Sequence, residues 1–86
     1  MVWKPNAEII TTALEDESVL LNPRTQELFT LNSTGKFVWD SLQTSSSAEI
    51  PALLAQTFEV DEATATADTD EILEALSKAG LVHASE

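Results

Sequence analysis

The sequence predicts an α+β domain in which a three-stranded antiparallel sheet is followed by three helices. β-branched and aliphatic clusters separated by short polar turns fill the first third of the chain. From Thr34 onward, apolar residues instead recur at helical spacing. A chain of 86 residues, 43% of them hydrophobic, can bury one modest core and has no room for a second domain.

The strands come first. Ile9, Ile10, Thr11 and Thr12, within Glu8–Leu14, favour a half-buried pleated surface. Glu15-Asp16-Glu17-Ser18 is a polar turn, and Val19-Leu20-Leu21 is a second short strand. In Asn22-Pro23-Arg24-Thr25 a turn former precedes a proline whose fixed φ suits a type I or II turn. Glu27–Leu31 is the third strand, and the short turns predict a meander. Residues 1–7 are expected to be loosely held.

Helical signals follow. Asn32 or Ser33 caps a helix with Thr34, Val38 and Leu42 on one stripe and Phe37 beside it. The run Thr44–Ser47 breaks that helix. The next starts near Ser47, with Pro51 tolerated in its first turn and Ile50, Leu54 and Phe58 recurring every four residues. Asp61 caps a third, longer helix that Gly80 ends in a left-handed conformation. Its stripe runs through Ala65, Thr69, Ile72, Leu76 and Ala79, with Leu73 adjacent; Leu81 and Val82 add an apolar anchor before the tail.

Two short helices and a longer one also suit a winged helix-turn-helix, a frame associated with DNA binding. The charge opposes that use. Fifteen acidic residues against four basic ones give a net charge of −11, whereas phosphate binding requires clustered Lys and Arg. Lys4, Arg24, Lys36 and Lys78 are scattered, and Asp61, Glu62, Asp68, Asp70, Glu71 and Glu74 lie on the helix that would enter the groove. Nucleic acids and anionic membranes are therefore not expected partners. The absence of cysteine excludes disulfides and thiolate metal sites. No apolar run reaches spanning length and no signal-peptide layout is present, so a cytoplasmic location is expected.

Catalysis finds little support. His83 is the single histidine and reads as surface. No metalloprotease motif, phosphate loop or nucleophile elbow occurs, and the acidic run lacks the glycine-containing loop of an EF-hand. Neither enzymatic activity nor a cofactor is expected. Asp40-Ser41-Leu42 matches the modified segment of acyl and peptidyl carrier proteins, which would place a prosthetic arm on Ser41. Against this, the first third reads as strand, and Ser41 falls inside a helix after Phe37-Val38-Trp39. Phe37 and Trp39 read as core, with one edge of the indole free.

What remains is a binding surface. An open sheet edge carries unpaired N–H and C=O groups, which proteins usually spoil with Lys, Pro or bulges. Glu27-Leu28-Phe29-Thr30-Leu31 has none of these, so an extended peptide could add to it. The first half of the third helix is small in side chain, Ala63, Thr64, Ala65, Thr66, Ala67 and Thr69, and Ile72 and Leu76 then offer an apolar pocket. Small residues admit either a peptide or tight helix-to-sheet packing.

Several of these elements occur together in one family. The chain over residues 9–82 resembles the PqqD-like domains that recognise leader segments of ribosomally synthesised, post-translationally modified peptides. The resemblance is carried by Leu20-Leu21, Arg24-Thr25, Leu31-Asn32-Ser33-Thr34-Gly35 leading to Val38-Trp39, Leu54, Phe58-Glu59-Val60-Asp61, Asp68, Ile72-Leu73, Leu76 and Gly80-Leu81-Val82. It implies a winged helix-turn-helix domain that takes the leader as an added strand. By position, the implied contacts are Glu27, Leu28, Phe29, Thr30 and Leu31 on the strand, with Asp68, Thr69, Ile72, Ala75 and Leu76 on the helix. The chain departs from the family where Leu28 stands for a second aromatic and Gln26 for a glycine. As a free-standing chain it resembles the discrete recognition proteins of lasso-peptide pathways. Those present the precursor to a separate leader peptidase and a macrocyclase.

Overall fold

The computed structural model describes residues 2–85. Strands β1 (Val2–Pro5), β2 (Ile10–Ala13), β3 (Ser18–Asn22) and β4 (Glu27–Leu31) come first. They lead into α1 (Ser33–Leu42), a 3₁₀ turn at Ser47–Glu49, α2 (Ile50–Phe58), α3 (Glu62–Lys78) and β5 (Val82–Ser85). The predicted α+β order is present, with a terminal ribbon in addition.

Strands β2, β3 and β4 form the antiparallel meander, with β3 in the middle. Leu20 pairs with Thr11 on one side and Phe29 on the other. Alternation sorts the faces: Ser18, Leu20 and Asn22 are buried, while Val19 and Leu21 between them are half-buried. Asn22 shapes the turn into β4, its side-chain oxygen accepting from Arg24 N–H at 3.1 Å and its carbonyl from Gln26 N–H at 2.7 Å.

The helices cover the inner face of this sheet. In α1, Gly35, Val38, Trp39 and Leu42 are buried. Trp39 is wholly inside, and its indole N–H donates to Thr11 Oγ1 on β2 at 3.0 Å, so the expected free edge is instead spent on the sheet. Phe37 is half-buried and meets Phe58 edge to face, with ring centres 5.5 Å apart. Ile50 and Leu54 of α2 enter the core, and Pro51 sits in its first turn as its missing N–H requires. Asp61 caps α3 by accepting from Thr64 N–H at 2.9 Å, and Gly80 follows the helix with φ at 75°.

Within the segment expected to be loosely held, residue 1 lies outside the described residues and Val2–Pro5 is paired. Val2–Pro5 lies antiparallel to Val82–Ser85, and Val2 is opposite Ser85. Trp3 N–H donates to Ser47 Oγ at 2.9 Å, Asn6 N–H to the Leu81 carbonyl at 3.0 Å, and Asn6 Nδ2 to the Gly80 carbonyl at 2.6 Å. His83 faces Asn6 Oδ1 across this ribbon, which gives it a structural partner. Among the described residues, no helix is long and apolar enough to cross a membrane.

Gln26 has φ at 62°, in the left-handed region where a Cβ is crowded. This accounts for the glycine expected at that position. Gln26→Gly should therefore raise stability by about 1 kcal/mol, read as a higher urea midpoint with an unchanged slope. A second expectation concerns Asp61, whose carboxyl is held below the ordinary aspartate range, first by the Thr64 side chain and then by the Thr64 N–H. A lowered folded-state value means that its stabilising effect is complete above the unfolded value. That effect is lost as pH falls through the folded one. In an NMR pH titration, the Asp61 carboxyl should titrate below the ordinary aspartate value, and the Thr64 amide should follow the same midpoint.

Candidate functional site

Strand β4 is an edge of the meander, paired with β3 alone. Its outer side faces a groove of about 410 Å³ lined by Phe29, Thr30 and Leu31 of the strand, Asn32 and Gly35 at the start of α1, Glu71, Ile72 and Ala75 of α3, and Glu17 from the β2–β3 turn. A smaller hollow of about 220 Å³ adjoins it, sharing Asn32, Glu71 and Ile72 and adding Thr34 and Asp68. The first hollow is floored by apolar groups; the second is mostly polar.

The local sequence makes this arrangement. Asn32 is extended (ψ −177°), and its side chain accepts from Gly35 N–H at 2.9 Å, so β4 passes into α1 through a single capping residue. Gly35 brings no side chain to the junction: a Cβ there would lie 3.1 Å from Leu31 Cδ2. The small residues Ala63–Ala67 line neither hollow; α3 borders the groove through Glu71, Ile72 and Ala75, with Ile72 the principal apolar wall.

The strand residues expected to contact a ligand divide into two groups. Phe29, Thr30 and Leu31 line the groove, whereas Glu27 and Leu28 do not; Leu28 is 69% exposed on the outer sheet face. On α3, Asp68, Ile72 and Ala75 line one hollow or the other. Thr69 and Leu76 are fully buried beneath them and present no surface in this structure. Glu17, Asn32, Thr34 and Gly35 line the site without having been expected as contacts. Of these, Asn32, Thr34 and Gly35 lie in the motif that carries the family resemblance, which was the available signal.

Charge at the groove is one-sided. Among the described residues, the ion pairs are Arg24–Glu8 at 3.1 Å, Lys36–Asp40 at 3.5 Å and Lys78–Glu74 at 3.3 Å. Glu17, Asp68 and Glu71 belong to none of them. A further hollow of about 550 Å³, between β1 and the loop after α1, is bordered by Trp3, Lys4 and His83 and is separate from the β4 edge.

A family model described as coenzyme PQQ synthesis protein D (PqqD) matches residues 17–82, which includes the meander's last two strands and all three helices. The chain belongs to the PqqD family. Two solved structures share the fold of this PqqD-family chain nearly end to end. One, TbiB1 in complex with the TbiA(beta) leader peptide, superposes with a TM-score of 0.88 at 26% identity, covering 96% of this chain and 98% of that one. The other is a lasso peptide synthetase B1 complexed with the leader peptide, with a TM-score of 0.82, 24% identity, and 95% and 98% coverage. No match was found among curated proteins.

Thr69 offers a test of what the buried side of α3 does. Its hydroxyl is enclosed without a hydrogen-bond partner, a state that costs stability. Thr69→Val keeps the shape and removes the unpaired oxygen. It should raise stability by about 1 kcal/mol in urea unfolding and leave peptide affinity unchanged. A fall in affinity would return Thr69 to the contact surface.

Proposed function

We propose that the chain binds the leader segment of a ribosomally synthesised precursor peptide by strand addition to β4, without itself catalysing a reaction. The observation that carries this reading is the open β4 edge facing α3 across an apolar-floored groove. The reading is supported by near-complete superposition on TbiB1, whose structure is of a leader-peptide complex. An extended segment laid along β4 gains main-chain hydrogen bonds from the edge, and a side chain turned toward α3 fills the groove.

Binding of this kind serves delivery. A held leader raises the effective concentration of the attached core peptide near a processing enzyme, with no contact to the core itself. The partners are a leader peptidase and a macrocyclase on separate chains, the setting is the cytoplasm, and the product class is the lasso peptides. Neither nucleic acid nor membrane takes part, since a chain of net charge −11 repels both phosphate polymers and anionic lipid.

The test is a heteronuclear titration of labelled protein with a synthetic precursor leader peptide. Saturable shifts should map to residues 28–31, 72 and 75. Thr30→Pro, at an exposed edge position, should weaken binding at least tenfold while circular dichroism stays unchanged, because proline removes a backbone donor and restricts the strand. Undiminished affinity in a folded Thr30→Pro variant would rule out strand addition at this edge.

A further inference from the structure

The two hollows beside β4 differ in chemistry, and their order along the strand has a direction. The more apolar one lies against Phe29, Leu31, Gly35 and Ala75, and also takes in Glu17. The polar one lies past the C-terminal end of the strand, at Asn32 and Thr34, with Asp68 and Glu71 on its α3 side. Ile72 and Glu71 border both, so the two hollows are neighbours.

From this arrangement we infer that the segment bound in the groove carries a lysine or arginine two residues before the apolar side chain that fills it. This rests on the strand-addition reading and specifies its ligand. Asp68 and Glu71 belong to none of the ion pairs among the described residues, so a cation entering the polar hollow displaces no resident partner. The N-terminus of α1 opens on the same hollow and by itself favours an anion. That end carries about half a positive charge, and its Gly35 N–H is already taken by the Asn32 side chain at 2.9 Å, against two full carboxylate charges. The two carboxylates therefore set the sign of the site.

The order follows from strand polarity. β2, β3 and β4 are mutually antiparallel, and antiparallel pairing is the more stable kind per residue. A segment added antiparallel to β4 places its N-terminal part beside Leu31 and Asn32. Side chains of a strand alternate faces, so residues turned toward α3 are two apart, about 6.6 Å along the segment. With the apolar side chain in the larger hollow, the residue two positions earlier falls beside Asp68 and Glu71.

The experiment is selection of short random peptides displayed against the immobilised full chain. Bound sequences are then synthesised and mapped by amide shifts on β4 and α3. Groove-binding peptides should be enriched in Lys or Arg two positions before an apolar residue. Their affinity should fall about tenfold for the Asp68→Lys/Glu71→Lys double variant. Changing the peptide's basic residue to Ala should remove most of that sensitivity, as a direct pair requires. Glu71→Gln alone, at an exposed position, carries the same comparison with about a threefold loss if the double reversal does not fold. Groove-binding peptides with no basic preference, or with the basic residue after the anchor, overturn this inference and leave strand addition standing. If no selected peptide shifts the groove resonances, both fall together.

Discussion

The rest of the molecule is arranged around how closely α1 sits on the end of β4. At Gly35 an added Cβ would meet Leu31 Cδ2 at 3.1 Å and Leu31 Cβ at 3.3 Å, so any larger residue there requires Leu31 to give by a few tenths of an ångström. That contact lets the chain pass from sheet to helix through Asn32 alone. It also fixes the roll of α1, which sends Val38 and Leu42 into the core and brings the Trp39 indole to Thr11 on the far strand of the meander. α3 then closes the core with Leu73 and Leu76, both buried with Leu20 and Leu31. The residue that permits the packing also leaves space on its other side, where Gly35 forms part of the groove floor.

Much of this frame is legible in the sequence because its punctuation has local causes. Asn22-Pro23 turns the strands, Asn32 and Asp61 supply side-chain acceptors for exposed helix N–H groups, and Gly80 takes the left-handed turn. The terminal ribbon is not legible. Val2-Trp3-Lys4-Pro5 has no alternation to mark a strand, and its partner is remote, as the separation of 77 positions between Asn6 and His83 indicates. The groove is legible in halves. Its strand side follows from an unspoiled edge, but on α3 the expected contacts Thr69 and Leu76 belong to the buried stripe. Helical spacing alone puts Ala65, Thr69 and Leu76 on one stripe, which the structure buries while Thr64 and Thr66 stay exposed; counting Thr69 and Leu76 as contacts runs against that spacing. Glu17 comes from a turn, where no periodicity reports which way a side chain faces.

Charge does for this edge what lysines or prolines do elsewhere. β4 carries neither, so a second copy has an unspoiled strand against which to pair. With a net charge of −11 per chain, and Glu17, Asp68 and Glu71 around the groove, two copies repel one another at that approach. A neutral or basic extended segment experiences no such barrier. The same acidity removes the frame from nucleic-acid chemistry, because the helix that would enter a duplex is the most acidic part of the chain.

The terminal ribbon has a consequence for architecture. Because Val2 and Ser85 are register partners, the backbone enters and leaves the domain side by side. Neighbouring ends allow a domain to be spliced into a loop of a larger protein, or joined head to tail, with little distortion of what lies between. The β4 edge is formed without either terminal strand. The unit is thus portable: it can be carried on another polypeptide through one narrow stem while its recognition edge stays open.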